Sequence, residues 1–152
     1  MKRDSRLSAT LHALLHMAER DRPVTSAELA VCMRTNPVVV RRTMAGLREA
    51  GFVRSEKGHG GGWVIARDLS TFTLRDVYDA LGQPTVLAMR LEVENPSCLV
   101  ERVVNAALDD AFREAEALLI DRLGGVTLAR LATDFRQRLP LAQHKDPTAN
   151  AS

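Results

Sequence analysis

The sequence predicts a mainly α fold with a small β-wing, a winged helix-turn-helix followed by a long dimerisation helix. Two helical patterns joined by a tight turn occupy residues 24–50. A glycine-rich segment, Gly58–Trp63, follows between two short strand-like runs, and a long amphipathic stretch covers residues 95–123. A helix exposed beside a basic hairpin is a shape that reads duplex DNA.

Length and composition indicate one ordinary globular domain. The chain has 152 residues, of which 45% are hydrophobic, enough for a real core. No apolar run is long enough to span a bilayer and no signal peptide is recognisable, so we expect a cytoplasmic protein with no membrane partner. Two cysteines, Cys32 and Cys98, are too few for a disulfide scaffold.

The charge is distributed unevenly along the chain. Residues 1–67 hold 12 Lys and Arg against 6 Asp and Glu, whereas residues 68–152 hold 9 against 13. The basic half contains the helix-turn-helix, which suits a nucleic-acid face backed by a protein-contact face. A chance asymmetry is the alternative explanation.

Local signals place the first two helices. Apolar residues recur at helical spacing from Ser5 to Glu19. Asp21-Arg22-Pro23 ends this helix. Thr25 stands three residues before Glu28, which is a capping-box signature and predicts a second helix over Ser26–Met33.

The third helix is predicted to be the DNA-reading one. Arg34-Thr35 forms the turn, Asn36 is a good N-cap, and Pro37 is a good first helical residue because its nitrogen needs no partner there. The helix continues to Ala50, and three apolar residues at helical spacing should face the core: Val40, Met44 and Leu47.

The wing and a fourth helix complete a predicted DNA-binding domain at residues 1–82. The strand-like runs Phe52–Ser55 and Trp63–Ala66 flank the glycines, which permit a tight reversal, and the wing covers residues 52–67. Thr73 caps the next helix, which ends at Gly82-Gln83-Pro84.

The second half is predicted to be helical after a connecting loop at residues 83–94. Residues 85–94 fit a loose helix, a strand or a mobile loop. Asn95-Pro96 starts the longest helix, which ends near Leu123, and Thr127 caps a last helix through Leu139. Residues 95–139 therefore form a dimerisation helix with a C-terminal helix, and residues 140–152 a disordered tail.

The apolar stripe of the long helix is too wide for one partner in so small a domain. Packing against the same helix of a second subunit would bury it, and packing within one chain is the alternative. A two-fold dimer implies a palindromic operator with half-sites one helical turn or a multiple apart. The stripe consists of Val100, Val104, Ala107, Leu108, Ala111, Phe112, Ala115, Leu118, Leu119 and Leu123.

The outward face of the third helix supplies the candidate base contacts. Val38, Val39, Arg41 and Arg42 lie away from the core positions. Arginine bonds two guanine acceptors at once and valine touches a thymine methyl group, although a lone arginine is often only a solvated surface charge. The exposed valines, Val38 and Val39, are harder to explain unless a binding partner covers them.

Further candidate contacts lie in the turn and in the wing. Thr35 offers a hydroxyl to a phosphate, and Arg48 adds a cation at the end of the third helix. Lys57 and His59 flank wing glycines and predict minor-groove or phosphate contact, while an ordinary hairpin turn is the alternative.

Four segments resemble the bacterial regulators that include IscR, NsrR and CymR: Thr35-Asn36-Pro37, Leu47–Val53, Gly58–Trp63 and Thr73–Val77. The similarity covers about residues 5–135. It implies a homodimeric winged helix-turn-helix transcription regulator, with the third helix in the major groove, the wing at the minor groove and the long helix at the dimer interface. We therefore expect a repressor of a palindromic operator.

The segment near the start of the long helix differs from that of the iron–sulfur members of the family. Those members have three clustered cysteines there. Only Cys98 stands there, so we expect no iron–sulfur cluster and no other cofactor. Cys98 in the first helical turn would have a reactive thiolate and act as a redox sensor, although a small packed residue is the alternative. Cys32 is expected to be more buried.

Other functions are less well supported. His12 and His16 lie one helical turn apart, a weak metal signal, and a contact between domains or subunits is favoured, so no metal site is expected. No catalytic motif appears, so the protein is not expected to be an enzyme. A winged-helix protein-interaction module or anti-activator, which does not bind DNA itself, is the alternative.

Overall fold

The computed structural model describes residues 6–85 and 98–143, and the mainly α fold with a small β-wing is confirmed. A short 3-10 helix at Leu69–Thr71 follows the second strand. The described residues form six α-helices and one hairpin: α1 (Arg6–Ala18), α2 (Ser26–Met33), α3 (Pro37–Glu49), β1 (Val53–Glu56), β2 (Gly62–Ile65), α4 (Leu74–Ala80), α5 (Leu99–Gly124) and α6 (Leu128–Gln143).

The predicted capping box defines the start of α2, and the predicted cap Thr73 forms a second capping box at the start of α4. The Thr25 hydroxyl accepts a hydrogen bond from the Glu28 N–H at 3.2 Å, and the Glu28 carboxylate accepts one from the Thr25 N–H at 2.9 Å. Thr73 and Asp76 repeat the arrangement, with distances of 3.2 and 2.8 Å. These reciprocal bonds satisfy backbone donors that a helix start otherwise leaves unpaired.

One hydrophobic core joins the helix-turn-helix, the wing and α4. Its largest fully buried side chains include Leu14 of α1, Leu29 of α2, Met44 and Leu47 of α3, and Phe72 before α4. The rings of Phe52 and Phe72 lie 4.8 Å apart, which ties the start of β1 to the segment before α4.

The last helix packs in this same core, whereas the sequence grouped it with the dimerisation helix in residues 95–139. Leu128 is fully buried and Ala132 is 2% exposed. The reason is a backbone bridge between Thr73 and Thr127, in which the Leu74 N–H donates to the Val126 carbonyl at 2.9 Å. The division of the chain at residues 83–94 stays a prediction, but α6 belongs to the winged-helix core.

Two helix limits differ from the sequence prediction. Cys98 was expected in the first turn of the long helix. Its backbone is instead extended, with φ −75° and ψ 119°, and it precedes the first turn of α5. α6 continues to Gln143 instead of ending at Leu139. Residues 86–97, with most of the ambiguous 85–94 segment and the Asn95-Pro96 start, lie outside the described residues, as do residues 144–152 of the predicted tail.

The long helix α5 contributes no fully buried residue to the described structure. Its C-terminal residues Ile120 and Leu123 pack partly against the core. Large apolar side chains elsewhere on it are exposed: Leu99, Val100, Val103, Val104, Leu108 and Leu118. No helix among the described residues combines the length and apolar character needed to cross a bilayer.

Candidate nucleic-acid interface

The start of α3 is fixed by its own cap. The Asn36 side chain accepts hydrogen bonds from the N–H groups of Val38 and Val39, at 3.0 and 3.1 Å, and Pro37 occupies the first helical position. The predicted N-cap is confirmed. It leaves the first turn of α3 well ordered at the surface.

The faces of α3 are divided as the spacing predicts. Val40, Met44 and Leu47 are fully buried. On the opposite side, Val38 is 60% and Val39 is 39% exposed. A helix whose inner face is locked into the core presents its outer residues at a defined angle to solvent.

The two arginines of this outer face, Arg41 and Arg42, are exposed. Neither guanidinium forms an ion pair with the described part of the chain. Their donors are therefore available to a ligand without the loss of an internal salt bridge.

The turn between α2 and α3 is tight. Arg34 adopts the left-handed backbone conformation, with φ 52° and ψ 49°. Its N–H donates to the Val31 carbonyl at 3.2 Å. The Thr35 N–H donates to the Ala30 carbonyl at 2.9 Å, which leaves the half-buried Thr35 side chain beside the first turn of α3. These bonds fix the angle between the two helices.

The wing is a two-stranded antiparallel hairpin formed by β1 and β2. Val53 pairs with Ile65 and Glu56 pairs with Gly62. Lys57 and His59 lie exposed in its turn. A Cβ atom on Gly61 would approach the Glu56 carbonyl oxygen to 2.3 Å, so the reversal excludes any side chain there.

A second β-bridge anchors the wing to the start of α2. Val24 and Trp63 exchange two backbone hydrogen bonds, of 3.0 and 2.8 Å. The Trp63 indole N–H donates to the Ser26 hydroxyl at 3.0 Å. A Cβ atom on Gly62 would lie 2.6 Å from the Val24 carbonyl oxygen, so a glycine is required for this close approach.

The end of α3 also contacts this anchor. The Arg48 guanidinium carbon lies 6.0 Å from the centre of the Trp63 ring, within the range of a cation–π contact. Arg48 of α3 therefore lies beside the Trp63 ring at the start of β2. Arg54 on β1 is instead paired with Glu56 at 3.2 Å.

An ion pair supports the loop before α2. The Arg22 guanidinium donates to both carboxylate oxygens of Glu28, at 2.5 and 3.2 Å. The bond from Arg22, with the Thr25 backbone bond next in effect, lowers the pKa of the Glu28 carboxyl from 4.5 to about 2. Glu28 thus stays charged, and the capping box stays intact, at any pH near neutral.

The residues that position the wing were not found from the sequence. Ser26, Val24 and Arg22 have no local pattern that points to Trp63 or to Glu28. The Ser26–Trp63 bond joins positions 37 residues apart in the sequence. It can be found only from the three-dimensional structure, which brings the indole donor next to the hydroxyl.

The cysteines do not fit an iron–sulfur cluster held by one chain. Cys98 and Cys32 are both half-buried free thiols, so Cys32 is less buried than expected. Within residues 6–85 and 98–143, no three histidine, cysteine or carboxylate side chains gather as metal ligands. A cluster needs several ligands, usually thiolates, and the whole chain has two cysteines.

The family model of iron-dependent transcriptional regulators named Rrf2 matches residues 3–134. The chain belongs to the Rrf2 family. This family shows that the protein is a winged-helix transcriptional regulator and not an enzyme, as the sequence predicted.

Individual relatives of this Rrf2 chain agree. YwnA of Bacillus subtilis (strain 168), named as an HTH-type transcriptional regulator, is 30% identical over 125 residues, which cover 82% of this chain and 92% of YwnA. The crystal structure of a Lactobacillus plantarum regulator is 26% identical, with a TM-score of 0.69 over 93% of this chain and 96% of that one. IscR of T. potens, at 16% identity, shares the fold with a TM-score of 0.62 over 100% of this chain and 94% of its own.

The wing anchor makes a prediction for unfolding stability. Ser26→Ala and Trp63→Phe each remove one partner of the indole–hydroxyl bond. The two substitutions should therefore be non-additive, with a coupling free energy of about 0.5–1.5 kcal/mol in a double-mutant cycle measured by urea unfolding. Ser8→Ala, at an exposed position of α1, is the control and should show no coupling to Trp63→Phe. Additive losses for the Ser26 pair would show that the bond does not form.

Proposed function

We propose that this Rrf2 protein acts in the bacterial cytoplasm as a homodimeric transcriptional repressor that reads a palindromic operator. The observation that carries the proposal is the outer face of α3, which is exposed and basic beside an anchored wing and whose Arg41 and Arg42 form no ion pair within residues 6–85 and 98–143. Repression requires only that the bound dimer occupy promoter DNA. The winged helix-turn-helix is suited to that role.

The first turns of α3 match the chemistry of the major groove. Arg41 and Arg42 carry planar donor pairs that fit the O6 and N7 acceptors of guanine, or a phosphate. Val38 and Val39 offer methyl groups to the methyl of thymine. An exposed valine pair is costly in water, and this cost is removed when the face is covered.

The wing and the turn supply contacts that do not depend on base identity. Lys57 and His59 extend from the hairpin turn toward the minor groove or its phosphates in this proposal, and Arg48 and Thr35 add phosphate contacts. Because the Val24–Trp63 bridge fixes the wing relative to α2, these groups keep a constant spacing from α3. Constant spacing is what allows the contacts to set the register on a duplex.

The exposed apolar face of α5 supports the homodimer. Val100 is 71%, Val103 is 61% and Leu118 is 58% exposed. A monomer rarely leaves so continuous a row of large apolar side chains in water, and the same helix of a second copy presents a complementary surface. Two α3 helices related by a two-fold axis then read two inverted half-sites.

A protein-interaction module or anti-activator is the second candidate function. Exposed valines on α3 also suit a protein partner. Salt distinguishes the two, because log affinity for duplex DNA falls by about 0.9 per phosphate contact for each unit of log salt, whereas a protein partner gives a weaker dependence and no duplex footprint.

Substitutions separate base contacts from phosphate contacts. Arg41→Ala should cost about 1–3 kcal/mol of binding free energy on the selected operator and much less on random duplex, because only the operator presents the right acceptors. Lys57→Ala, the matched cation on the wing, should weaken both duplexes alike and lower the salt slope by about one. Fluorescence anisotropy at several salt concentrations measures all four affinities. Equal losses on operator and random DNA for Arg41→Ala would contradict its role in specificity.

Substituting charged residues into the apolar stripe of α5 tests whether this face is the dimer interface. The double variant Val104→Glu/Leu108→Glu places two carboxylates one turn apart on that face, so it should elute as a monomer in light-scattering chromatography and lose most operator affinity. Val31→Glu is the control, because Val31 is 79% exposed and belongs to α2 and not to the apolar stripe of α5. A stable dimer of the double variant would show that this face is not the interface.

The redox response through Cys98 remains a proposal, with less support than expected because Cys98 precedes α5. In the proposed step, the Cys98 thiolate is oxidised by peroxide to a sulfenic acid while the peroxide is reduced to water. Wild-type protein and Cys32→Ser should both change operator affinity with peroxide, whereas Cys98→Ser should not. A Cys98→Ser variant that responds like the wild type would remove Cys98 as the sensor.

A further inference from the structure

Two histidines converge on one point beside α1. The Nε2 atoms of His12 and His16 are 2.8 Å apart, and their ring centres are 4.7 Å apart. The sequence favoured a contact between domains or subunits at this pair. The rings do line a small cavity, of about 120 Å³, that Phe135 of α6 closes.

The separation of the two nitrogens fits one coordination geometry in particular. Two nitrogens about 2.0 Å from one ion are about 2.8 Å apart when they subtend a right angle, and about 3.3 Å apart at the tetrahedral angle. The observed 2.8 Å therefore corresponds to neighbouring corners of a square-planar or octahedral site. Cu²⁺ and Ni²⁺ prefer those geometries with nitrogen ligands.

We propose that His12 and His16 chelate one Cu²⁺ or Ni²⁺ ion through their Nε2 atoms. Without metal, one Nε2 carries the proton of a hydrogen bond to the other. On binding, that ring takes its other neutral tautomer, with the single proton on Nδ1 instead of Nε2, so that both Nε2 lone pairs are free to bind the ion. This donor set is separate from the thiols of the chain.

The lining of the cavity contains one further oxygen donor. Glu19 lies one turn beyond His16, and its Oε1 accepts a bond from the Arg136 Nε at 2.9 Å. Arg20 in the same lining opposes a cation, whereas the Glu19 carboxylate favours one. Because the described residues provide no third ligand in place, water would complete the coordination.

An ion at this pair would link His12 to His16, which lie on successive turns of α1 close to its contact with α6. Glu19 and Arg136 already join these helices. A metal that binds only the folded chain raises the melting temperature, and the rise grows with the logarithm of the free metal concentration once this exceeds the Kd.

The test is calorimetric titration of the full-length protein with Ni²⁺, followed by Cu²⁺ absorption spectroscopy. The expected result is one ion per chain and a higher melting temperature. Loss of an outer ligand contact typically costs 10–100-fold in metal affinity, so His12→Gln and His16→Gln should each weaken binding by at least about tenfold. The control is the double variant His59→Gln/His144→Gln, which removes the other two histidines and should bind like the wild type.

Two outcomes would overturn the proposal. The first is binding that survives unchanged in His12→Gln and His16→Gln, which would place the ion on other groups such as the thiols. The second is no saturable binding in the wild type, which would leave the pair as a plain hydrogen bond between two imidazoles. A melting temperature raised by Ni²⁺ in the wild type and in the control, but not in either single variant, supports the site.

Discussion

The backbone bridge between Val24 and Trp63 is the constraint on which the rest of the interface depends. Its two hydrogen bonds join the wing to the residue before the α2 cap, and the indole bond to Ser26 adds a third. Gly62 makes this approach possible, since a side chain there would meet the Val24 carbonyl. The wing is therefore part of the helix-turn-helix frame and not a loose appendage, so its cations keep a fixed distance from α3.

The same region stabilises the starts of α2 and α3. Arg22 holds Glu28, Glu28 caps α2 through Thr25, and the Asn36 cap starts α3. These local bonds satisfy the donors at both helix starts, while the core residues of α3 fix its rotation. Among the residues that the structure describes, Arg41 and Arg42 of the outer face form no ion pair. A binding surface built on rigid helices keeps its side chains in a fixed arrangement, which favours ligand binding.

Much of the fold follows from local sequence signals, and the failures have physical reasons. The limits of α2 match the prediction because a capping box specifies a helix start within four residues, Thr25 to Glu28. The Asn36-Pro37 start of α3 was equally predictable. The Ser26–Trp63 bond and the burial of α6 were not, because each depends on residues distant in sequence that only tertiary packing brings together. The Asn95-Pro96 signal suggested that Cys98 was helical, but its backbone is extended, so a cap-like dipeptide alone did not fix the start.

The central claim is that two copies of the exposed α3 face read inverted half-sites on one duplex. Selection of bound duplexes from a random pool, followed by hydroxyl-radical footprinting of the winning sequence, tests it most directly. The account predicts an enriched inverted repeat with two protected half-sites centred about 10 base pairs, or a multiple of this, apart. Enrichment of a single site without two-fold symmetry, or no enrichment over the starting pool, would contradict it.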